Sequence, residues 1–168
     1  MLTITSAIND QFRFLHESSL AFIRNLPEEL LYKKPDYAQV EYQPGSIGEA
    51  LLRSAATAEQ TFGGITTNLW DDPFEWTLPE SLPSRADVES YLNEVDRARE
   101  RAFAAVADDA DLSREIGVPA GGTMPLASVL LQAMGKAFHQ QGMAFQMLRF
   151  DGEHLPHFTQ HLRTLGNV

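Results

Sequence analysis

The sequence predicts an all-α domain, and three observations carry that prediction. Four long segments repeat apolar residues at three- and four-residue steps, the period of an amphipathic helix. Two of them open on a serine followed three residues later by an acid, the spacing in which the hydroxyl caps a backbone amide and the carboxylate reaches back. The proline-containing stretches between them show no period at all. With 168 residues, 43% of them hydrophobic, the chain is long enough for one core and too short to favour two, so a single domain over residues 1–168 is expected.

The first helix is expected from Thr5 to Leu26, with Ile8, Phe12, Leu15, Leu20, Phe22 and Ile23 turned inward and His16 at the surface or partly packed. Pro27 to Leu31 reads as a short extra turn, and Tyr32 to Gly45, with Pro35 and Pro44, as a connecting loop. Ser46 and Glu49 then start a second helix running to about Leu69 over Ile47, Leu51, Ala55, Ala58, Phe62 and Ile65, whose small members let a neighbour approach closely. Arg53 lies on the flank of that stripe, one turn after Glu49. Trp70 to Ser84 holds Phe74, Trp76, Pro73, Pro79 and Pro83; it cannot be helical throughout, and its aromatics are expected over one end of the core or the mouth of a cleft.

Ser84 and Asp87 start a third helix that buries Val88, Tyr91, Leu92, Val95, Ala98, Ala102 and Val106, with Arg97, Arg99, Glu100 and Arg101 expected on a solvated face. Asp108 to Thr123 is expected to be a loop with short extended pairs around Ile116 and Val118. The fourth helix is expected from Met124 to Phe150 over Leu126, Leu130, Ala133, Ala137, Ala144 and Leu148, widened by Val129, Met143 and Met147. Lys136 and Gln140 interrupt this stripe four residues apart and should point into whatever the helix packs against, whereas His139 should face outward. Asp151 and Gly152 end the helix, and a short last one is expected at about His157 to Leu165.

The chemistry readable from residue types is sparse. A net charge of −10 with only 13 Lys and Arg spread along the chain argues against nucleic acid, which needs clustered cations. With no cysteine there is no disulfide, thiolate metal site or thiol nucleophile. No stretch approaches 18 apolar residues and the N-terminus lacks a basic, then apolar, leader pattern, so no membrane partner is expected and the default compartment is the cytoplasm. His157 and His161 are four apart, with His154 just ahead; they form a weak candidate metal site without a third ligand at a diagnostic spacing. No serine sits in a nucleophile-elbow context, and Gly121-Gly122 reads as a turn.

Taken in order, the first helix ending in LPEELL, the stretch QPGSIGEALLRSAATAEQTF, the third helix followed by GVPAGGTMPLASVL, and AFHQQGMAFQMLRFDG together resemble the DinB/YfiT-like superfamily over about residues 5 to 155. The resemblance implies a four-helix bundle of up-down-down-up order with a long crossover, commonly a homodimer, with a cleft at one end. It also implies a metal held by three histidines in many relatives. This sequence departs from that pattern: aligned on SIGEALLR the first ligand position is Arg53, and aligned on Gly142 the other two are Lys136 and Gln140. Arg and protonated Lys offer only hydrogen-bond donors and carry positive charge, so no metal and no other cofactor is expected.

The resulting expectation is a DinB-like protein without a metal, with Arg53, Lys136 and Gln140 lining a cleft that takes a small anion. Two further readings stand beside it. One is a transferase that joins a low-molecular-weight thiol to an electrophile, or another metal-dependent enzyme, as the resemblance implies for relatives. The other is a dimeric interaction module in stress response, suggested by the polar, glycine-containing outer face of the fourth helix. If the two cations instead find protein partners, Arg53 is expected to pair with Glu49, and Lys136 with an acid such as Glu59.

Overall fold

The computed structural model describes residues 3–34, 45–71 and 79–150. Within them lie helices α1 (Ile4–Asn25), α2 (Ile47–Thr67), α3 (Arg85–Ala104) and α4 (Leu126–Phe150), with a hairpin of β1 (Glu115–Gly117) and β2 (Thr123–Pro125) between α3 and α4. The expected final helix and the histidines at 154, 157 and 161 fall outside the described residues, as do Phe74 and Trp76.

Local sequence sets where the helices start. Thr3 accepts from the Ser6 amide while the Ser6 hydroxyl accepts from the Thr3 amide, a reciprocal cap that starts the helix at Ile4, one residue before the expected Thr5. Ser84 and Asp87 form the same arrangement at α3 as expected. At α2 the Ser46 hydroxyl caps the Glu49 amide, but the Glu49 carboxylate does not return to Ser46. One of its oxygens accepts from the Gly45 amide at 2.7 Å and the other from Arg53. The α2 helix stops at Asn68, whose φ of 57° is left-handed and whose amide bonds the Gly64 carbonyl.

Cross-helix contacts give the directions. Arg99 meets Asn9, and Arg24 meets Glu89, so α1 and α3 run antiparallel. Phe14 stacks near Phe138 and Phe22 near Phe145, so α1 and α4 run parallel. The Ser54 hydroxyl donates to the Ala137 carbonyl, and the Tyr91 hydroxyl to Glu59. The bundle is therefore all-α in its layers and up-down-down-up in order, apart from the hairpin. Its centre is a triad of rings, with Phe12 and Phe62 at 5.1 Å and Phe103 at 6.2 Å from each.

Three expectations are corrected here. Arg99 is not on the solvated face of α3: it is 6% exposed, its Nε donating to Asp96 at 2.6 Å and its Nη1 to Asn9, because its position follows Val95 and Val88 around to the α1 side. Met124 is not helical, because β2 commits its backbone to a ladder in which Met124 faces Ile116, and the helix begins only after Pro125. The polar residue inside the bundle at this level of α4 is Gln141, which the periodic reading passed over. Its amide nitrogen lies within 2.9 Å of the Leu15 carbonyl and the Ser18 and Ser19 hydroxyls, so the two buried serines and the glutamine satisfy one another.

The hairpin turns through Gly121 and Gly122, at φ values of 89° and 80°, a left-handed region that side chains with a Cβ avoid. Its base is closed against the start of α4 by the Leu126 amide, which donates to the Arg114 carbonyl at 2.9 Å.

Candidate functional site

A cleft of about 460 Å³ opens between α2, α4, the hairpin and Trp70. The α2 wall is Arg53, Ala56, Thr57, Gln60 and Thr61, and the α4 wall is Val129, Gln132, Ala133, Lys136 and Gln140. These recur at three- and four-residue steps on each helix, so each set is one face. Ala56 and Ala133 put no more than a methyl group on the facing walls, while the buried Ser54 hydroxyl, donating to the Ala137 carbonyl at 2.8 Å, ties the two helices together. Val118, Pro119, Ala120 and Met124 of the hairpin close one side.

Trp70 forms the end wall. The chain doubles back after Asn68, so that the Trp70 carbonyl accepts from Gln60 Nε2 at 3.1 Å and the ring lies on Gly64. A Cβ at Gly64 would sit 2.4 Å from ring carbons Cδ2 and Cε2, so only glycine admits the ring there. Of the aromatics expected over one end of the core or the mouth of a cleft, Trp70 lines the cleft as its end wall, and Phe74 and Trp76 lie outside the described residues.

All three candidate positions of the sequence reading come together on this cleft. Arg53 is held by Glu49, with Nη2 and Nε at 2.8 and 3.1 Å from one carboxylate oxygen. Lys136 is exposed at the mouth instead of buried in the packing, and it makes no ion pair or hydrogen bond among the described residues. Its expected partner Glu59 accepts instead from the Tyr91 hydroxyl at 2.6 Å, on the face of α2 turned to α3. Gln140 is half-buried, and its Oε1 is fully enclosed with no hydrogen-bond partner; Trp70 Nε1 is in the same condition. Native proteins leave few such atoms unpaired. His139 is exposed, as expected.

The donor set does not fit a divalent metal. A guanidinium and an ammonium cannot coordinate a cation, which leaves one neutral amide oxygen. Among the described residues no group of three His, Cys, Asp or Glu stands close enough to hold an ion.

Gln60 and the hairpin tip were not singled out in the sequence. Gln60 lies two turns along α2 from Arg53 on the same face, and that spacing was the signal available.

The chain is similar in structure to the crystal structure of a DinB-like protein from Bacillus cereus. The TM-score is 0.66 over 92% of this chain and 96% of that one, at 19% sequence identity. No protein-family model and no curated protein matches the sequence.

Proposed function

We propose that this chain, which has the DinB-like fold, binds a small anion in the cleft between α2 and α4 and does so without a divalent metal. The observation that carries the reading is Lys136, an ammonium at the mouth of the cleft with no partner among the described residues, four residues from the unpartnered Gln140 amide. Arg53, oriented by Glu49, adds a second cation on the facing helix. The Gln140 amide adds a neutral donor beside them, its NH₂ able to donate to an anion's oxygen.

Calorimetric titration of the full chain with acetate and with inorganic phosphate tests this, together with metal content per chain after incubation with zinc and nickel and thorough desalting. The expected result is saturable anion binding at one site, less than a tenth of a metal ion per chain, and an affinity reduced roughly tenfold or more in Lys136→Ala, the scale of a lost charged hydrogen bond. Stoichiometric metal, or anion binding indifferent to Lys136, would overturn the reading.

An interaction role has one observation in its favour. Leu131, 56% exposed, shares the outer face of α4 with Gly135 and Gly142, where an added Cβ would meet nothing within 4 Å. A homodimer through this face predicts a dimer by sedimentation at micromolar concentration and a monomer for Leu131→Glu; a monomeric parent chain removes the reading.

A further inference from the structure

The neutral polar side chains of the cleft share a bias toward accepting hydrogen bonds. Thr57 Oγ1 donates to the Arg53 carbonyl and Thr61 Oγ1 to the Thr57 carbonyl, each at 2.9 Å. A hydroxyl has one proton, so what these two residues have left for a ligand is lone pairs. Gln60 leans the same way, because its Nε2 donates to the Trp70 carbonyl at 3.1 Å while its Oε1 has no partner among the described residues. Gln132, exposed on the α4 wall, leaves its Oε1 equally unpartnered there. The Gln140 Oε1 also lacks a donor; it is covered where it stands, and rotation about the side-chain bonds brings it to the cleft.

These acceptors are spread along the wall. On α2, Thr57 lies about 6 Å, Gln60 about 10 Å and Thr61 about 12 Å beyond the level of Arg53, at about 1.5 Å per residue. The ammonium of Lys136 stands at the other end, since the Ser54 bond to Ala137 sets that part of α4 beside Arg53. An inorganic anion fills little of a cleft of about 460 Å³ and brings only acceptors toward a row of acceptors. An apolar chain would strip water from Thr57, Gln60 and Thr61 without returning a hydrogen bond, which costs free energy at every oxygen. An ammonium group gathers its donors on one atom and meets a single point of the row. Hydroxyls along a carbon chain bring a proton to each position and keep lone pairs for water or for one another.

We infer that the ligand is a polyhydroxylated anion of the sugar-acid or sugar-phosphate kind, its charged group at the Lys136 end and its hydroxyls donating to Thr57, Gln60 and Thr61. This deepens the anion reading and rests on it.

The test is calorimetry of the full chain against a series matched in chain length: D-gluconate, sorbitol 6-phosphate, hexanoate, 6-aminohexanoate and sorbitol. The better of the first two, which identifies the charged group, is expected to bind at least about tenfold tighter than the last three, because oxygens placed for hydroxyls stay unpaired against an analogue without them. Hexanoate binding as tightly as the better hydroxylated anion would overturn the inference and leave the anion site standing, as would tighter binding of 6-aminohexanoate. Sorbitol equal to that anion, or no binding by any member, would overturn both readings. Thr57→Val combined with Gln60→Met removes two acceptors at nearly constant side-chain size. In that variant the preference for the hydroxylated anion over hexanoate is expected to shrink by about tenfold, the scale of two lost neutral hydrogen bonds. An undiminished preference in the folded variant would also overturn the inference. Should the variant fail to fold, the series on the parent chain decides alone.

Discussion

Replacing Arg99 by alanine is expected to destabilise the protein by about 2–3 kcal/mol, because it leaves a half-buried carboxylate without its partner. The guanidinium bridges α1 and α3: its Nε donates to Asp96 and its Nη1 to Asn9, with the side chain 8% exposed. Asp96 retains some solvent, at 20% exposure, which keeps the loss below that of a fully enclosed pair. In a domain of this length the melting temperature should fall by roughly 5–10 °C. Arg97→Ala, two residues away and solvated, serves as the control and should change stability by no more than about 0.5 kcal/mol. Equal melting temperatures for the two variants would refute the assignment of Arg99 as an interhelical brace.

A second readout separates this brace from general packing. His16 lies 3.9 Å from Asp96, and its pKa is held below the ordinary 6.5, chiefly by burial, with the Asp96 carboxylate opposing and Arg99 assisting. Removing Arg99 takes away one of the lowering influences, so the His16 resonance should titrate at higher pH in Arg99→Ala than in the parent. The sign for stability follows from linkage. A histidine whose folded pKa is depressed binds fewer protons folded than unfolded, so its contribution is complete above pH 6.5 and is lost as the pH falls through 6.5 toward the folded value. Arg99→Ala should flatten that loss; an unchanged His16 titration would show that the two side chains do not communicate.

Gly64→Ala is the second large effect, and it acts on the cleft. The new methyl group would lie 2.4 Å from Trp70 ring carbons, where ordinary contacts begin near 3.4 Å, so the ring must leave its seat. Alanine favours the helix by about 1 kcal/mol over glycine, while forced repacking costs about 1–3 kcal/mol. Overall stability therefore changes by no more than about 2 kcal/mol, and the larger consequence is the lost end wall. In a Trp76→Phe background, Trp70 emission should shift to longer wavelength in Gly64→Ala. Unchanged emission would mean that the ring is not seated on Gly64.

These effects mark a division between local pattern and assembly. Helix existence and type were legible because periodic apolar residues and Ser-x-x-acid starts are local signals, and they located α2 and α3 closely through Ser46 and Ser84. The four-helix order followed from the resemblance, and the contacts from Asn9 to Arg99 and from Phe22 to Phe145 bear it out. Helical spacing put Lys136 and Gln140 on one face, but that Arg53 would join them was implied only by the resemblance; all three line one cleft.

What a given polar residue faces was decided only by tertiary structure. Gln140 and Gln141 are neighbours separated by about 100° around one helix; one turns to the cleft and the other to Ser18 and Ser19, and nothing in their local sequence distinguishes them. Arg99 reads as one more charge in a solvated run until α1 brings Asn9 against it. Lys136 interrupts an apolar stripe and so suggests burial, yet the cleft beside it lets the ammonium reach water. The sequence by itself determined the helices and which residues share a face. The neighbours across those faces, and hence which charges are paired within the described residues, came from packing, because they depend on residues far away in the chain.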